Sequence, residues 1–335
     1  MSITAKELAA MLGLSESAVS LALNDKPGVS RATRRRVIDA AKEHGFDFAK
    51  KGISRADKKG TICFAIYKKS GAVVSDTPFF SALSDGLNMG CRRRHYDCVV
   101  RYLYEDDDLS DQIYTLDHSQ FSGIILLATE IDENTLKRFS SIGAPIVVLD
   151  AYFDKLDFNF IIINNIQGAF TATEYLIKKR RTQPGYLRSD YWISNFDQRA
   201  DGFYKAIRAN GMSTAQSQVL RLTPSQEGAY EDMKRLLRSG EKPASCYFAD
   251  NDLIAFGAMM ALKEAGYRIP EDVAVVGFDD MPACEYVSPP LSTIMVPKLF
   301  MGETAAMRIV QLIENGSTQP LKIEVSTKLV KRKSV

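Results

Sequence analysis

Few side chains in this sequence of 335 residues are spaced for covalent chemistry. The histidines His44, His95 and His118 form no H-E-x-x-H pattern and are paired with no plausible nucleophile, and His44 has the place of a helix-end residue. G-x-S-x-G, G-x-x-x-x-G-K and G-x-G-x-x-G are absent. The run Glu105-Asp106-Asp107-Asp108 lacks calcium-loop spacing and reads as a solvated helix start. No catalytic residue, metal or cofactor is expected, which leaves recognition chemistry. Asp150 follows the apolar run Val147-Val148-Leu149, where a carboxylate either caps a turn or accepts bonds from ligand hydroxyls. Arg188 is a residue type that grips phosphate or carboxylate bidentately. Trp192, the only tryptophan, could stack on a sugar face or simply pack, and Phe79-Phe80 has the look of core.

These groups need elements to hold them, and the first sixty residues are the most legible. Thr4-Ala5-Lys6-Glu7 has capping-box spacing, and Leu8, Met11 and Leu12 give the helix it opens one apolar face. Gly13 ends that helix, and Ser15 caps a second over residues 16–24. There Val19 and Leu23 point inward, leaving Glu16, Ser17, Ser20 and Leu21 to solvent or a partner. Lys26-Pro27-Gly28 is turn chemistry, and Ser30 caps a third helix carrying Arg31, Arg34, Arg35 and Arg36. Two short helices across a glycine turn, braced by a third, can offer a helix to a DNA groove. A plain three-helix bundle with a solvated basic face would show the same spacing. Residues 1–59 hold 12 Lys and Arg against 7 Asp and Glu, a net of +5 in a chain whose total is +2. That asymmetry suits a nucleic-acid arm on a near-neutral body.

From Thr61 onward short apolar runs alternate with helical stretches. Strands are expected at 62–67, 98–103, 123–127, 146–149, 185–187, 219–222, 245–248 and 273–276, with late strands at 294–296 and 323–329. Helices are expected around 80–94, 109–117, 133–140, 167–179, 196–210, 225–238, 252–264 and 308–313. The alternation predicts an α/β fold of two doubly wound parallel sheets, with ligands beyond the carboxyl ends of the strands. With 45% hydrophobic residues, the length suffices for two or three domains. No apolar run reaches membrane-spanning length and the N-terminus lacks a signal-peptide core, so a cytoplasmic protein with no membrane contact is expected. Five cysteines without a C-x-x-C pair read as reduced thiols.

Ala5-Lys6-Glu7-Leu8-Ala9, Leu14-Ser15-Glu16-Ser17-Ala18-Val19-Ser20, Leu23-Asn24, Val29-Ser30, Thr33-Arg34 and Val37 together resemble the DNA-binding domain of the LacI/GalR family of transcriptional regulators. The resemblance extends over the body, as a periplasmic-binding-protein type I core, through Arg199-Ala200-Asp201-Gly202-Phe203, Asn251-Asp252 and Gly277-Phe278-Asp279-Asp280. It implies a helix-turn-helix domain at 1–47 and a hinge at 48–60. It also implies a first core subdomain of 61–163 with 292–322 and a second of 164–291 with 323–335.

By the same likeness Glu16, Ser17 and Leu21 read bases, Glu16 accepting from cytosine N4 and Leu21 touching a thymine methyl. Thr4, Asn24, Ser30 and Thr33 contact phosphates, and Arg34 supplements them electrostatically. Phe79, Arg199, Asn251 and Asp279 meet an effector between the subdomains, and Asp150 joins them on its strand-end place. Arg188 and Trp192 are further effector candidates, and Arg188 suggests an acidic or phosphorylated sugar. The hinge departs from the family: Phe48-Ala49 replaces Pro-Asn, and Arg55 stands where a leucine wedges into the minor groove. Ile53 is the apolar residue left for that role, beside a Gly52 that costs roughly 1 kcal/mol of helix propensity. The reading is a homodimeric regulator, expected to be a repressor. It would hold near-palindromic double-stranded operator DNA under control of a sugar or sugar derivative. A solute-binding sensor or a sugar-acting enzyme on the same core is the alternative.

Overall fold

The computed structural model describes residues 3–23, 28–44, 46, 58–74, 78–316 and 319–335. Its two compact units are a head, Met1–Lys59, and a core, Gly60–Val335. In the head, α1 (Ala5–Leu12) opens on a complete capping box between Thr4 and Glu7 and closes on Gly13 at φ 66°, a left-handed turn that glycine adopts without strain. The Ser15 hydroxyl caps α2 (Glu16–Leu23) by accepting from the Ala18 amide at 3.1 Å, and Ser30 caps α3 (Arg31–Glu43), which ends at His44. Leu8, Ala9, Val19, Ala22, Val37 and Ala41 form the head's buried centre. Met11 is 45% exposed, against the expectation above, because Ala9 turns to the core where Met11 turns away.

The core contains two six-stranded sheets. The first takes β1 (Gly60–Lys68), β2 (Tyr96–Tyr104), β3 (Gly123–Leu127), β4 (Ile146–Leu149), β5 (Asn159–Ile163) and β11 (Lys322–Val325), ordered β11-β5-β4-β3-β1-β2 and parallel throughout. With it pack α4 (Pro78–Arg93), α5 (Leu109–His118), α6 (Glu133–Arg138) and α11 (Lys298–Asn315). The second takes β6 (Gly185–Ser189), β7 (Val219–Leu222), β8 (Cys246–Ala249), β9 (Ala274–Asp279), β10 (Ser292–Met295) and β12 (Lys328–Val330). Its order is β12-β10-β9-β8-β6-β7, with only β12 antiparallel. Its helices are α7 (Asn165–Arg180), α8 (Ser194–Ala209), α9 (Gln226–Arg238) and α10 (Asp252–Glu264). Central strands such as β3 and β8 are buried along their whole length, which is why they read as unbroken apolar runs.

Some elements differ from the expectation. The apolar run 160–163 forms β5, a strand the alternation above does not include. The stretch 323–329 divides into β11 and β12, which join different sheets. Since β10 pairs with β9, the chain leaves the second sheet after Met295, where the resemblance put that passage near 291–292. It returns after Val325, where Lys322 was expected. The strand expected at 98–103 is an edge strand, so Val100, Tyr102 and Tyr104 are largely exposed. All five cysteines are free thiols. Among the described residues no helix is long and apolar enough to cross a membrane.

Candidate DNA-reading helix and effector cleft

On the head, Glu16 and Ser17 are exposed at the start of α2, with the Ser17 hydroxyl 3.0 Å from that of Ser15. Leu21 is half-buried, and a Cβ placed on Gly28 would lie 3.1 Å from its Cδ1. The three candidate base readers thus lie on one helix, over a centre that fixes its rotation. Thr4 is exposed, but its amide and hydroxyl both donate to the Glu7 carboxylate, at 2.7 and 2.8 Å. The Ser30 and Thr33 hydroxyls meet at 2.8 Å at the amino end of α3, where helix amides favour an anion, and Arg34 follows on that helix. Asn24 and Ile53 lie outside the described residues.

In the core a narrow cleft opens where the carboxyl ends of both sheets meet. Asp150 follows β4 and Thr129 follows β3; Asn195, Phe196 and Arg199 come from α8, Asn251 caps α10, Asp279 ends β9, and Phe79 and Phe80 begin α4. All of them line a space of about 40 Å³. The Thr129 hydroxyl donates to Asp150 Oδ2 at 2.7 Å. Across the cleft, Asn195 Nδ2 donates to Asp150 Oδ1 at 3.0 Å and to its carbonyl at 3.1 Å. Asn165 Nδ2 donates to Asn195 Oδ1 at 3.1 Å, and Arg199 Nε donates to Asn165 Oδ1 at 2.9 Å. Arg199 also donates to the Asp250 carbonyl, reaches Asp279 at 3.5 Å and stacks 3.8 Å from the centre of the Phe278 ring. Lys298 of α11 closes a second bridge by donating to the carbonyls of Asp279 and Asp280.

This chain of bonds runs unbroken from the first subdomain to the second. Burial pushes Asp150 up to about 6, against the bonds from Thr129 and Asn195 and the charge of Arg199. Burial likewise pushes Asp250 to about 6, opposed by bonds from Tyr186 and the Ser189 amide. Asp252 rises to about 7 through burial and the nearby Asp279. Asp150 at φ 66° and Asp279 at φ 115° are held in left-handed backbone conformations. Aspartate tolerates positive φ better than most non-glycine residues, because its short side chain can bond locally.

Of the effector candidates, the cleft gathers Phe79, Asp150, Arg199, Asn251 and Asp279. It does not gather Arg188 and Trp192. The Arg188 guanidinium and the Trp192 indole N–H both bond to Asp197, each at 2.7 Å, in a neighbouring pocket that shares only Ile193 and Phe196 with the cleft. Thr129, Asn165, Asn195 and Asp250 are participants that residue types alone did not single out. Thr129 and Asp250 follow strands as Asp150 does, and Asn195 stands four residues before Arg199 on one helix face. A larger hollow of about 350 Å³ beside α9 and α10 is walled chiefly by Phe256, Met259, Met260 and Val287. It lacks the cleft's convergence of buried polar groups.

The profile for bacterial regulatory proteins of the lacI family matches residues 4–47, and that for a periplasmic binding protein-like domain matches residues 173–335. An HTH-type transcriptional repressor PurR from Mannheimia succiniciproducens is 30% identical over 338 residues, covering 99% of this chain and 98% of that protein. The chain belongs to the LacI family. As a LacI-family protein it is a DNA-binding transcriptional regulator and not an enzyme. The LacI-family fold is shared with a transcriptional regulator CelR–cellobiose complex, at TM-score 0.75 and 24% identity over 99% of this chain and 100% of that one. It is shared equally with a lac repressor dimer bound to operator and the anti-inducer ONPF, at TM-score 0.72 and 22% identity over 100% of this chain and 99% of that one.

Proposed function

We propose that this LacI-family regulator represses transcription from the cytoplasm as a homodimer on a near-palindromic operator, and releases or tightens its hold when a sugar or sugar derivative enters the cleft. The observation that carries the effector half is the bonded path Thr129–Asp150–Asn195–Asn165–Arg199–Asp279, which joins the subdomains through groups able to bond hydroxyls. A space of about 40 Å³ holds only a few waters, so a sugar-sized guest has to part the subdomains and take over the Asp150–Asn195 contact. Parting them changes the angle between the subdomains, and with it the spacing of two heads on DNA. The cellobiose in the CelR complex supports a sugar as the guest.

In the cleft the carboxylates Asp150 and Asp279 are balanced by the Arg199 guanidinium and the Lys298 ammonium, and Arg188 is matched by Asp197 outside it. A neutral sugar therefore fits better than the acidic one that Arg188 suggested. Phe79, Phe80 and Phe196 support a second guest, a flat heterocycle stacked on their rings. The exposed edge of β2, with Val100, Tyr102 and Tyr104, is a face that a second copy would cover. The lac repressor that shares this fold is itself a dimer on its operator, which supports a second copy as the partner.

The test is selection of bound duplexes from a random pool, followed by titration of the winner with neutral sugars, sugar phosphates and heterocycles. A palindromic winner whose affinity responds to a neutral sugar supports the reading. A winner indifferent to Glu16→Ala, Ser17→Ala and Leu21→Ala together, or to every compound, defeats it.

A further inference from the structure

Residues 69–74, between β1 and α4, carry backbone amides that neither sheet nor helix uses. Lys69, Ser70 and Ala72 are exposed and Val74 is buried, and amides on the loop's inner side need acceptors there. The Ala72 amide donates to the Ser70 hydroxyl at 3.1 Å, and one side chain supplies acceptors for the other five. Glu130 Oε2 accepts from the amides of Lys69, Ser70 and Gly71 at 2.9, 3.0 and 3.0 Å, and Oε1 accepts from those of Val73 and Val74 at 2.7 and 2.9 Å. The carboxylate is 2% exposed. Five converging amides form a concave nest that favours negative charge. Burial pushes the acid up, and the amides more than reverse this, leaving it below its ordinary value.

Glu130 follows Thr129, the residue that holds Asp150, so one dipeptide at the end of β3 anchors two parts of the cleft. Val73 lines the cleft and Val74 is buried in the core, both on the loop the carboxylate gathers. From the opposite subdomain the Tyr191 hydroxyl is buried beside Ser70, Lys69 and Glu130. The loop is thus both a wall of the cleft and a seat for the other subdomain.

We propose that Glu130 is the positioning residue of the cleft's first wall, shaping the loop 69–74 through both carboxylate oxygens so that Val73 faces the guest and the second subdomain has a surface to close on. The proposal rests on the cleft being the effector site, but its structural half can be read without any ligand.

Backbone hydrogen exchange is measured on the ligand-free full chain, as wild type, Glu130→Gln and Glu130→Ala. In Glu130→Ala the amides of 69–71, 73 and 74 are expected to exchange at least tenfold faster, with β1 amides unchanged. Glu130→Gln, with one acceptor oxygen in place of two, is expected to lose protection on one side of the nest only. Wild-type protection should persist below the ordinary Glu range and then collapse in a single acid step that Glu130→Gln lacks. Titration with cellobiose and D-ribose follows, and whichever sugar binds wild type should bind Glu130→Ala at least tenfold more weakly. Unchanged exchange at these amides, or unchanged sugar affinity, overturns the proposal. A wild type that binds neither sugar overturns the sugar reading, and the exchange result then decides the role of Glu130 alone.

Discussion

Asp150 is buried, sits at φ 66°, and has both carboxylate oxygens engaged, by Thr129 and by Asn195. With its pKa raised to about 6, its charged, doubly accepting form is lost as pH falls through that value. Binding of the proposed sugar effector, measured by calorimetry, is expected to weaken several-fold from pH 7 to pH 5, and Asp150→Asn to give a flat, weak profile. Stability responds in the opposite sense. The ordinary value of 3.8 is raised to about 6, 6 and 7 in folded Asp150, Asp250 and Asp252, so the native chain holds more protons than the unfolded chain between these limits. Their contribution is full below the ordinary value and is lost as pH rises through 6 to 7. Arg199→Ala would strand the Asp279 carboxylate, Asn165 Oδ1 and the Asp250 carbonyl without their donor. A loss of about 3–5 kcal/mol in urea unfolding is expected, and Arg199→Lys should not restore it, because a single ammonium cannot replace a planar fork stacked on Phe278.

Helix packing controls how the cleft's first wall is carried. A Cβ at Gly86 of α4 would fall 2.0 Å from the Leu299 carbonyl oxygen of α11, so the two helices touch backbone to backbone. Gly86→Ala is expected to force α4 from α11 and cost about 1–3 kcal/mol, read as a lower unfolding midpoint of the core with the head's own transition unchanged. Phe79 belongs to α4 and Lys298 to α11, so the same variant should also weaken binding of the proposed effector. The cap of α1 was legible from the order Thr4, Glu7 and Gly13, because a cap joins residues three or four apart. The sheet to which β10 and β11 belong was not, because short apolar runs look alike whichever strand they pair with.

For the whole molecule, a head of net charge +5 on a core of opposite sign implies binding dominated by phosphate neutralisation. Operator affinity by fluorescence anisotropy is expected to fall by about a thousandfold or more between roughly 50 and 200 mM salt. Saturating effector should move that affinity by about 5–150-fold at fixed salt, the range of a coupling of about 1–3 kcal/mol. A shift in DNA affinity without a shift in the salt slope would mean that the effector changes head spacing and not the number of phosphates held.

Local grammar alone determined the three head helices, the α/β alternation and the strand-end place of Asp150, since caps, turns and periodicity act over a few neighbouring residues. Asp279, beyond the strand expected at 273–276, was reached only through the family resemblance. Tertiary structure decided what those acids face. Asp150 meets Asn195 across 45 residues, Glu130 gathers amides about 60 residues upstream, and Arg188 is turned to Asp197 and away from the cleft. Such pairings follow from which sheet each strand joins and how two subdomains close, and a side chain's type carries no record of either.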